Sequence, residues 1–314
     1  MEGAKVIASA RTPGAANPIE AAFGPATTPH DAARWCERYA RRHNENFTVV
    51  SRFLPATLRP AMYTIYAFCR FTDDLGDEAG RAGTDRIDLL DAWERETNRA
   101  FAAGGSPRHP ITVALAQVAR DAPLTPDAFR RLIEANRIDQ RQSRYQTFAD
   151  LLTYCDNSAN PVGEMVLALF GYTDAQRLRF SNATCTALQL ANHWQDIARD
   201  YQAGRIYLPL DDMAHFDVQE AQIPDKRFDV NFRALMQFQV DRTEALFRDG
   251  LPLIDMVDRP LRVDLQLFSD GGRAVLRAIE RQHYNILRRR PTVSSPHKGY
   301  LAARALARHR LGIG

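Results

Sequence analysis

Apolar residues recur at spacings of three and four along most of the chain, and this repetition limits the possible folds more than any other feature. Residues at i, i+3 and i+4 share one face of an α-helix, whereas a half-buried strand alternates polar and apolar residues. Alternation over the length of a strand is almost absent. With 45% hydrophobic and 25% charged residues, the composition is that of a globular protein, and the pattern predicts an all-α fold.

The apolar spacing and the helix-breaking residues predict ten helices and two loops. Thr125 and Pro126 mark one helix start, since threonine caps a helix well and proline is tolerated in its first turn. The loops are residues 205–229 and 291–296, both of which contain prolines. The helices are expected at about residues 30–42, 58–79, 85–102, 111–119, 126–139, 148–170, 174–201, 231–257, 260–288 and 297–308.

No repeat, linker or change in composition divides the chain after its N-terminal segment. Residues 1–29 hold four prolines among alanine and glycine, which predicts a flexible tail. The 314 residues are enough for two domains. We nevertheless expect one helical domain over residues 30–314.

Charge and cysteine content exclude several functional classes. The 41 basic and 38 acidic residues give a net charge of +3, too balanced for a protein that grips nucleic acid through its phosphates. No apolar run reaches the roughly 18 residues that a membrane span needs. The cysteines form no CxxC pair, which argues against a zinc knuckle or disulfide framework and favours a cytoplasmic location. They are Cys36, Cys69, Cys155 and Cys185.

Four acidic residues crowd the end of the predicted helix 58–79. Asp73 and Asp77 are four residues apart and share a helical face, and Asp74 and Glu78 form a second such pair. Like charges at this spacing repel, which destabilises the helix. Binding of Mg²⁺, which prefers carboxylate and phosphate oxygens, would offset that repulsion. A solvated helix end in which Arg70 bridges the acids is the alternative.

A second polar stripe favours the metal interpretation. Gln189, Asn192, Asp196 and Asp200 follow one another at steps of three, four and four, so they lie on one helical face. Burying such a face without partners for its charges is prohibitive. If it faces the first acidic cluster, cations must lie between them, and two acidic helices bridged by Mg²⁺ could hold a diphosphate.

The two acidic motifs lie within a longer series of short motifs. In chain order these are Asn46-Phe47, Leu54-Pro55, Arg59, Tyr66-Ala67-Phe68-Cys69-Arg70, Asp73-Asp74-x-x-Asp77-Glu78, Asn160-Pro161-Val162-Gly163-Glu164, Gln189-x-x-Asn192-x-x-x-Asp196-x-x-x-Asp200 and Arg205-Ile206-Tyr207-Leu208-Pro209. The series resembles the squalene and phytoene synthase family in order and spacing, over about residues 31–300. Each motif alone is weak, but the combination is specific.

The resemblance implies a single-domain isoprenoid-synthase helical fold with a central apolar cavity. It implies that Mg²⁺ and a prenyl diphosphate are held by Asp73, Asp74, Asp77, Asp196 and Asp200. Catalytic roles are implied for Tyr66, Arg70, Asn192, Gln195 and Tyr284. Substrate contacts are implied for His43, Asn46, Phe47, Arg70, Gln189, Arg205 and Tyr207. Tyr66, Phe47, Phe68, Tyr154 and Tyr284 are candidates to line the cavity and shield a carbocation, with core packing as the alternative.

One position departs from the family's usual pattern. Gln195 stands where most members have an arginine just before the first aspartate of the second motif. This form most resembles the bacterial hydroxysqualene synthase branch of hopanoid biosynthesis, which ionises presqualene diphosphate and lets water capture the rearranged cation. An amide both donates and accepts hydrogen bonds, so Gln195 could orient that water. The chain shows no dinucleotide-binding fingerprint, so reduction by NADPH is not expected.

Two other functions remain open at this stage. One is a phytoene, dehydrosqualene or presqualene diphosphate synthase that condenses two prenyl diphosphates, which product analysis would distinguish. The other is a catalytically silent relative that acts as a binding or assembly factor, and the retained aspartates argue against it.

The C-terminal segment suggests contact with a membrane surface. Basic residues there alternate with apolar ones, which is typical of a segment resting on anionic lipid; a solvated terminal helix is the alternative. We therefore expect a cytoplasmic protein that binds no nucleic acid, with peripheral membrane contact and association with other hopanoid-pathway enzymes as further possibilities. The basic residues are Arg288, Arg289, Arg290, Lys298, Arg304, Arg308 and Arg310.

Overall fold

The computed structural model describes residues 28–43, 54–77 and 83–294. These ranges contain α-helices, two short 3₁₀ segments and no strand, so the predicted all-α class is confirmed. The 3₁₀ segments are Glu220–Gln222 and Leu251–Met256. The helices are α1 (Pro29–Arg42), α2 (Arg59–Asp77), α3 (Gly83–Phe101), α4 (Pro110–Asp121), α5 (Pro126–Arg141), α6 (Phe148–Ser158), α7 (Asn160–Leu169), α8 (Ala175–Gln202), α9 (Leu210–His215), α10 (Val230–Gly250) and α11 (Arg259–Arg281).

Local sequence explains where several helices begin. Proline lies in the first turn of α1, where Thr28 caps the helix by accepting a hydrogen bond from the Asp31 N–H at 3.1 Å. Pro126 likewise lies in the first turn of α5, as predicted. Thr125 has the extended backbone of a cap residue there, but its side chain makes no capping hydrogen bond.

The prediction of a single helix over residues 148–170 is wrong. The segment forms two helices, α6 and α7, which are separated at Ala159. Pro161 lacks an N–H and its ring collides with the carbonyl one turn earlier, so a helix cannot pass through it undisturbed. The break is fixed by Asn160, whose Nδ2 donates to Asp156 Oδ1 at 2.6 Å and whose Oδ1 accepts from Thr186 at 3.0 Å.

The predicted boundaries also differ at three other places. The helix predicted over 231–257 ends at Gly250 and continues as a 3₁₀ segment. The helix predicted over 260–288 ends at Arg281, followed by His283 and Tyr284 with positive φ values of 51° and 66°. The expected loop 205–229 contains α9. The predicted helix 297–308, and residues 1–27 of the predicted tail, lie outside the described residues.

The long helix α8 is central, since α6, α7, α10 and α11 all pack against it. One large apolar cluster is built mainly from α1 to α5 and α7, and a second from α6, α8, α10 and α11. Phe68 belongs to the first cluster and packs between Trp93 and Phe129. It is therefore a core residue, which was the alternative to its lining the cavity. The whole is one helical domain. Within the described residues, no helix has both the length and the apolar character required to cross a bilayer.

Candidate active site

The carboxylates at the end of α2 lie in two different environments. Asp74 is already paired: Tyr39 donates to its Oδ2 at 2.5 Å, and Arg70 lies 2.7 Å from its Oδ1. Asp73 instead accepts from Asn136 Nδ2 on α5 at 3.3 Å. Asp77 is exposed and lies 3.6 Å from Arg205. Asp73 and Asp77 thus face partners from later in the chain, while Asp74 is held by Tyr39 of α1 and by Arg70 one turn before it. Glu78 lies outside the described residues.

A glycine allows α2 to approach α5 closely at this point. A Cβ atom at Gly76 would lie 2.2 Å from Asn136 Oδ1, so no other residue fits without displacing Asn136. Gln140 Nε2, one turn after Asn136, donates to the Gly76 carbonyl at 3.0 Å. These contacts hold α5 beside the acidic end of α2.

Asp139 joins the site from α5, although the sequence analysis did not single it out. Tyr154 donates to one of its carboxylate oxygens at 3.1 Å and Tyr207 to the other at 3.5 Å. Burial raises the pKa of Asp139 to about 6, against the nearby Arg205 charge, which lowers it. The signal available in the sequence was the three-residue spacing of Asn136 and Asp139, which places an amide and a carboxylate on one helical face.

Arg205 links the acidic groups of the two motifs. Gly204 adopts a φ of 82° directly after α8, and this left-handed turn brings the Arg205 N–H to the Asp200 carbonyl at 2.8 Å. The Arg205 charge acts on the carboxylates of Asp77, Asp139 and Asp200. One guanidinium therefore lies among three carboxylates, which leaves negative charge in excess.

The aspartates of α8 also differ from each other. Burial, followed by the neighbouring Asp196, raises the pKa of Asp200 to about 7. Asp196 is paired with Arg290, whose Nη2 lies 2.9 Å from its Oδ2. Asn192, one turn earlier on α8, is exposed.

Gln195 lies beneath Arg290. It is buried, accepts from Arg290 Nη2 at 2.9 Å and donates to the Pro291 carbonyl at 2.5 Å. Both ends of the amide are therefore used to hold the segment after α11 against α8. The guanidinium beside Asp196 comes from Arg290, a residue that the sequence analysis assigned only to the basic C-terminal segment.

A neutral histidine packs against the site from α8. His193 is buried, and its ring stacks on Tyr207 with centroids 3.6 Å apart. Its Nε2 lies 3.3 Å from Gln189 Nε2. Burial lowers the pKa of His193 to about 3, so it adds no charge near pH 7. Its position was not predicted, since a single histidine on a helix more often belongs to the core.

An apolar cavity of about 190 Å³ lies between the helices that carry these groups. Its walls are faces of α2, α7, α8 and α11, and Tyr66, Cys69 and Leu188 are among the lining residues. Cys69 lies one turn before Asp73, and Leu188 one turn before Asn192. The helical faces that line the cavity therefore continue into the two acidic motifs.

The aromatic candidates fall into different places. Tyr66 lines the cavity and donates to the His43 carbonyl at 3.0 Å. Tyr154 packs against Tyr207 beside Asp139. Tyr284 packs against the second apolar cluster and is not one of the residues lining the described cavity. Asn46 and Phe47 lie outside the described residues.

The carboxylate oxygens of this site are the type of donor that Mg²⁺ prefers. The surroundings of Asp73, which lies at the mouth of the site, desolvate its carboxylate and raise its pKa to about 6. Burial also raises the pKa of Asp139 and Asp200, because it disfavours the charged form of a carboxyl group. Hard oxygen donors suit Mg²⁺, which usually takes one or two carboxylates together with water and phosphate oxygens. Among the described residues, no three candidate side chains are close enough to enclose a metal by themselves.

Comparisons with known proteins show the family of the chain. Residues 40–297 match the family model of squalene/phytoene synthase. The 15-cis-phytoene synthase of Synechocystis sp. is 32% identical over 87% of this chain and 84% of its own, and that of Synechococcus elongatus is 33% identical over 85% and 90%. The crystal structure of squalene synthase HpnC from Alicyclobacillus acidocaldarius superposes with a TM-score of 0.77 at 46% identity, covering 82% of this chain and 96% of that one. A dehydrosqualene synthase in complex with ligand gives a TM-score of 0.80 at 26% identity, over 90% and 98%. The chain belongs to the squalene/phytoene synthase family.

Proposed function

We propose that this protein carries out the Mg²⁺-dependent ionisation of presqualene diphosphate, followed by rearrangement and capture of the cation by water. The products are hydroxysqualene and diphosphate. Addition of water to the cation, with loss of one proton, needs no reductant. The observation that carries the proposal is that Cys69 and Leu188 of the cavity wall lie one helical turn before Asp73 and Asn192 of the two acidic motifs.

The proposed roles follow the geometry of the site. Asp73, Asp77, Asp196 and Asp200 would hold Mg²⁺, with Asp139 beside them. Bound Mg²⁺ would neutralise the charge that develops on the leaving diphosphate. Arg205 adds a fixed positive charge between the motifs, and Arg70 is held by Asp74 at the rim. Gln189 and Tyr207, which flank His193, are proposed to contact the diphosphate end of the substrate, together with His43, Asn46 and Phe47.

The cavity protects the cation. Its lining is almost entirely apolar, which excludes bulk water. Tyr66 lines the cavity from α2, and an aromatic ring stabilises a cation that lies over its face. We assign Tyr66 this role, and Asn192 a polar contact near the diphosphate. Tyr284 is kept as a catalytic candidate on the resemblance alone.

The water-capture outcome is supported by the form of the second motif, with Gln195 just before Asp196. The structure also refines the role of Gln195, because both ends of its amide are engaged by Arg290 and Pro291. We propose that Gln195 positions Arg290 beside Asp196, so that Arg290 supplies a guanidinium where relatives carry arginine within the motif.

Product analysis tests the proposal. The purified protein is incubated with presqualene diphosphate or with farnesyl diphosphate, each with Mg²⁺ or EDTA and with or without NADPH. We expect a C30 alcohol from presqualene diphosphate and Mg²⁺ alone, no turnover in EDTA, and little product from farnesyl diphosphate. Squalene formation that requires NADPH, or full activity in EDTA, would contradict the proposal.

A condensing activity is the second candidate. It is favoured by the names of the curated relatives, which are phytoene synthases. Efficient formation of a C30 product from farnesyl diphosphate in that assay, or of a C40 product when geranylgeranyl diphosphate replaces it, would establish it. If the protein is a catalytically silent assembly factor, no arm of that assay should show turnover.

Peripheral membrane contact stays a prediction. Arg288 and Arg289 are exposed just after α11, and the rest of the basic segment lies outside the described residues. Flotation with anionic vesicles at low and high salt tests it, and binding that salt weakens is the expected result. Association with other hopanoid-pathway enzymes likewise stays a prediction.

A further inference from the structure

A tyrosine of α1 contacts the acidic end of α2. Tyr39 donates to Asp74 Oδ2 at 2.5 Å, although 35 residues separate the two in the chain. The hydroxyl of Tyr39 keeps its proton, because burial, followed by the hydrogen bond to Asp74, raises its pKa. A hydrogen bond to a carboxylate is roughly twice as strong as one between neutral groups. Tyr39 therefore gives Asp74 a firm contact outside its own helix.

The ring of Tyr39 is itself fixed by other rings. It stacks on Trp35 with centroids 4.9 Å apart, and it lies 4.4 Å from the ring of His43. Phe71 of α2 meets it edge-on at 6.5 Å. The hydroxyl is thus held in one place, and it holds the carboxylate of Asp74 there.

Arg70 can reach two carboxylates from its position on α2. Asp73 and Asp74 follow it by three and four residues, and both spacings bring side chains together on a helix. In the structure, Arg70 Nη2 lies 2.7 Å from Asp74 Oδ1. Its charge also acts on Asp73, whose pKa burial raises to about 6 and Arg70 lowers. Arg70 is therefore near both acids and paired with Asp74.

The pair of Arg70 and Asp74 is too exposed to keep this arrangement by itself. Their side chains are 46% and 35% exposed. Exposed ion pairs contribute little, because both side chains lose freedom when they pair and water weakens their attraction. Tyr39 removes that freedom from Asp74 by occupying the carboxylate oxygen that Arg70 does not use. The carboxylate then presents its other oxygen to Arg70 in one orientation.

The choice of partner matters because Asp73 belongs to the proposed metal site. A guanidinium bound to Asp73 would occupy carboxylate oxygens that Mg²⁺ needs as ligands. With Arg70 on Asp74, the hydrogen bond from Asn136 Nδ2 engages Asp73 Oδ1 at 3.3 Å. The second oxygen of Asp73 stays available to a cation.

On the basis of the proposed Mg²⁺ site, we propose that Tyr39 is a positioning residue for that site. By fixing Asp74, it keeps Arg70 away from Asp73 and leaves Asp73 to the metal. Tyr39 itself contacts neither the metal nor the substrate. Asp74 is the partner of Arg70 and is not a metal ligand.

Binding of Mn²⁺ to the protein alone tests this without turnover. Mn²⁺ takes the same oxygen donors as Mg²⁺, and the electron paramagnetic resonance signal of free Mn²⁺ gives the dissociation constant. We expect Tyr39→Phe, which keeps the ring and removes the hydroxyl, to raise this constant at least threefold. Arg70→Gln should not raise it, and adding Tyr39→Phe to Arg70→Gln should change it by less than about 1.5-fold. Tyr172→Phe, which removes a hydroxyl beside Asp258 just before α11, is the matched control and should have no effect.

The outcomes separate the two claims. An unchanged constant in Tyr39→Phe, or an equal rise with and without Arg70, overturns the positioning role and leaves the proposed function standing. Failure of the unchanged protein to bind Mn²⁺ overturns the metal site on which both depend. Asp74→Asn decides the question if Tyr39→Phe does not fold, because it also weakens the hold on Arg70. The rise that it causes should be at least halved by Arg70→Gln, and an undiminished rise would overturn the role.

Discussion

At the scale of single residues, the site is defined by carboxylates that are short of positive charge. Asp73, Asp139 and Asp200 all have raised pKa values, and burial is the largest cause for each. Arg205 offsets only part of their charge. A folded protein tolerates such a set where a cation completes it.

The first prediction concerns the aspartates of the two motifs. Asp73→Asn, Asp77→Asn, Asp196→Asn and Asp200→Asn each keep the side-chain shape but remove one charge. Each should lower diphosphate release from presqualene diphosphate by more than about tenfold, or roughly 1.4 kcal/mol of barrier. Asp249→Asn, an exposed acid on α10, is the matched control and should have no effect. Two motif variants within tenfold of the unchanged protein would contradict the metal site.

The second prediction concerns Gln195. An arginine at this position would lie against the guanidinium of Arg290. Repulsion between the two positive charges should release Arg290 from Asp196. We expect Gln195→Arg to reduce the fraction of C30 alcohol more than the rate of diphosphate release, with hydrocarbon in its place. Gln176→Arg places the same charge at an exposed amide in the first turn of the same helix and should leave the product unchanged. An unaltered alcohol fraction in Gln195→Arg would disprove the positioning role.

At the scale of helices, the spacing within each motif was readable from sequence because a helix is a local structure. Asp73 and Asp77, or Asp196 and Asp200, share a face through their four-residue separation alone. Arg290 could not be found in this way, since 94 residues separate it from Asp196 and only the packing of α11 on α8 joins them. The break at Asn160 was missed because the apolar spacing continues across it.

The third prediction tests the close approach of α2 and α5. Gly76→Ala should lower the free energy of unfolding by about 1–3 kcal/mol, the usual cost of overpacking, because its Cβ collides with Asn136. Gly271→Ala is the control, since no atom lies within 4 Å of its added Cβ. That change should stabilise α11 by roughly 0.5–1 kcal/mol. Urea unfolding measures both, and equal effects at the two positions would refute the close approach.

The fourth prediction concerns the buried acid of α11. The pKa of Asp264 rises from its ordinary value of 3.8 to about 8 in the folded protein. The folded state therefore keeps a proton that the unfolded chain loses, and stability falls as pH rises from about 4 to about 8. The free energy of unfolding, measured in urea, should be lower at pH 8 than at pH 5, by at most about 1.4 kcal/mol per pH unit. The difference should be smaller in Asp264→Asn. An identical decline in both proteins would mean that Asp264 ionises normally.

At the scale of the whole molecule, an apolar cavity that has Asp264 in its wall lies along the faces of α2 and α8 that lead to the two acidic motifs. The family and the helical fold were predictable because the motifs are local and occur in a specific order. Asp139, His193 and Asp264 were not, because each gains its environment from helices that are distant in sequence. The pattern of residues thus predicted a metal and diphosphate site, while the walls of the cavity could be located only from the packed structure.

The most direct test of the account is the source of oxygen in the product. The protein is incubated with presqualene diphosphate and Mg²⁺ in water labelled with ¹⁸O, without NADPH, and the extracted lipids are analysed by mass spectrometry. We predict a C30 alcohol that carries one ¹⁸O atom per molecule, because water captures the cation within the cavity. A C30 product without labelled oxygen, or no product until NADPH is added, would contradict the account.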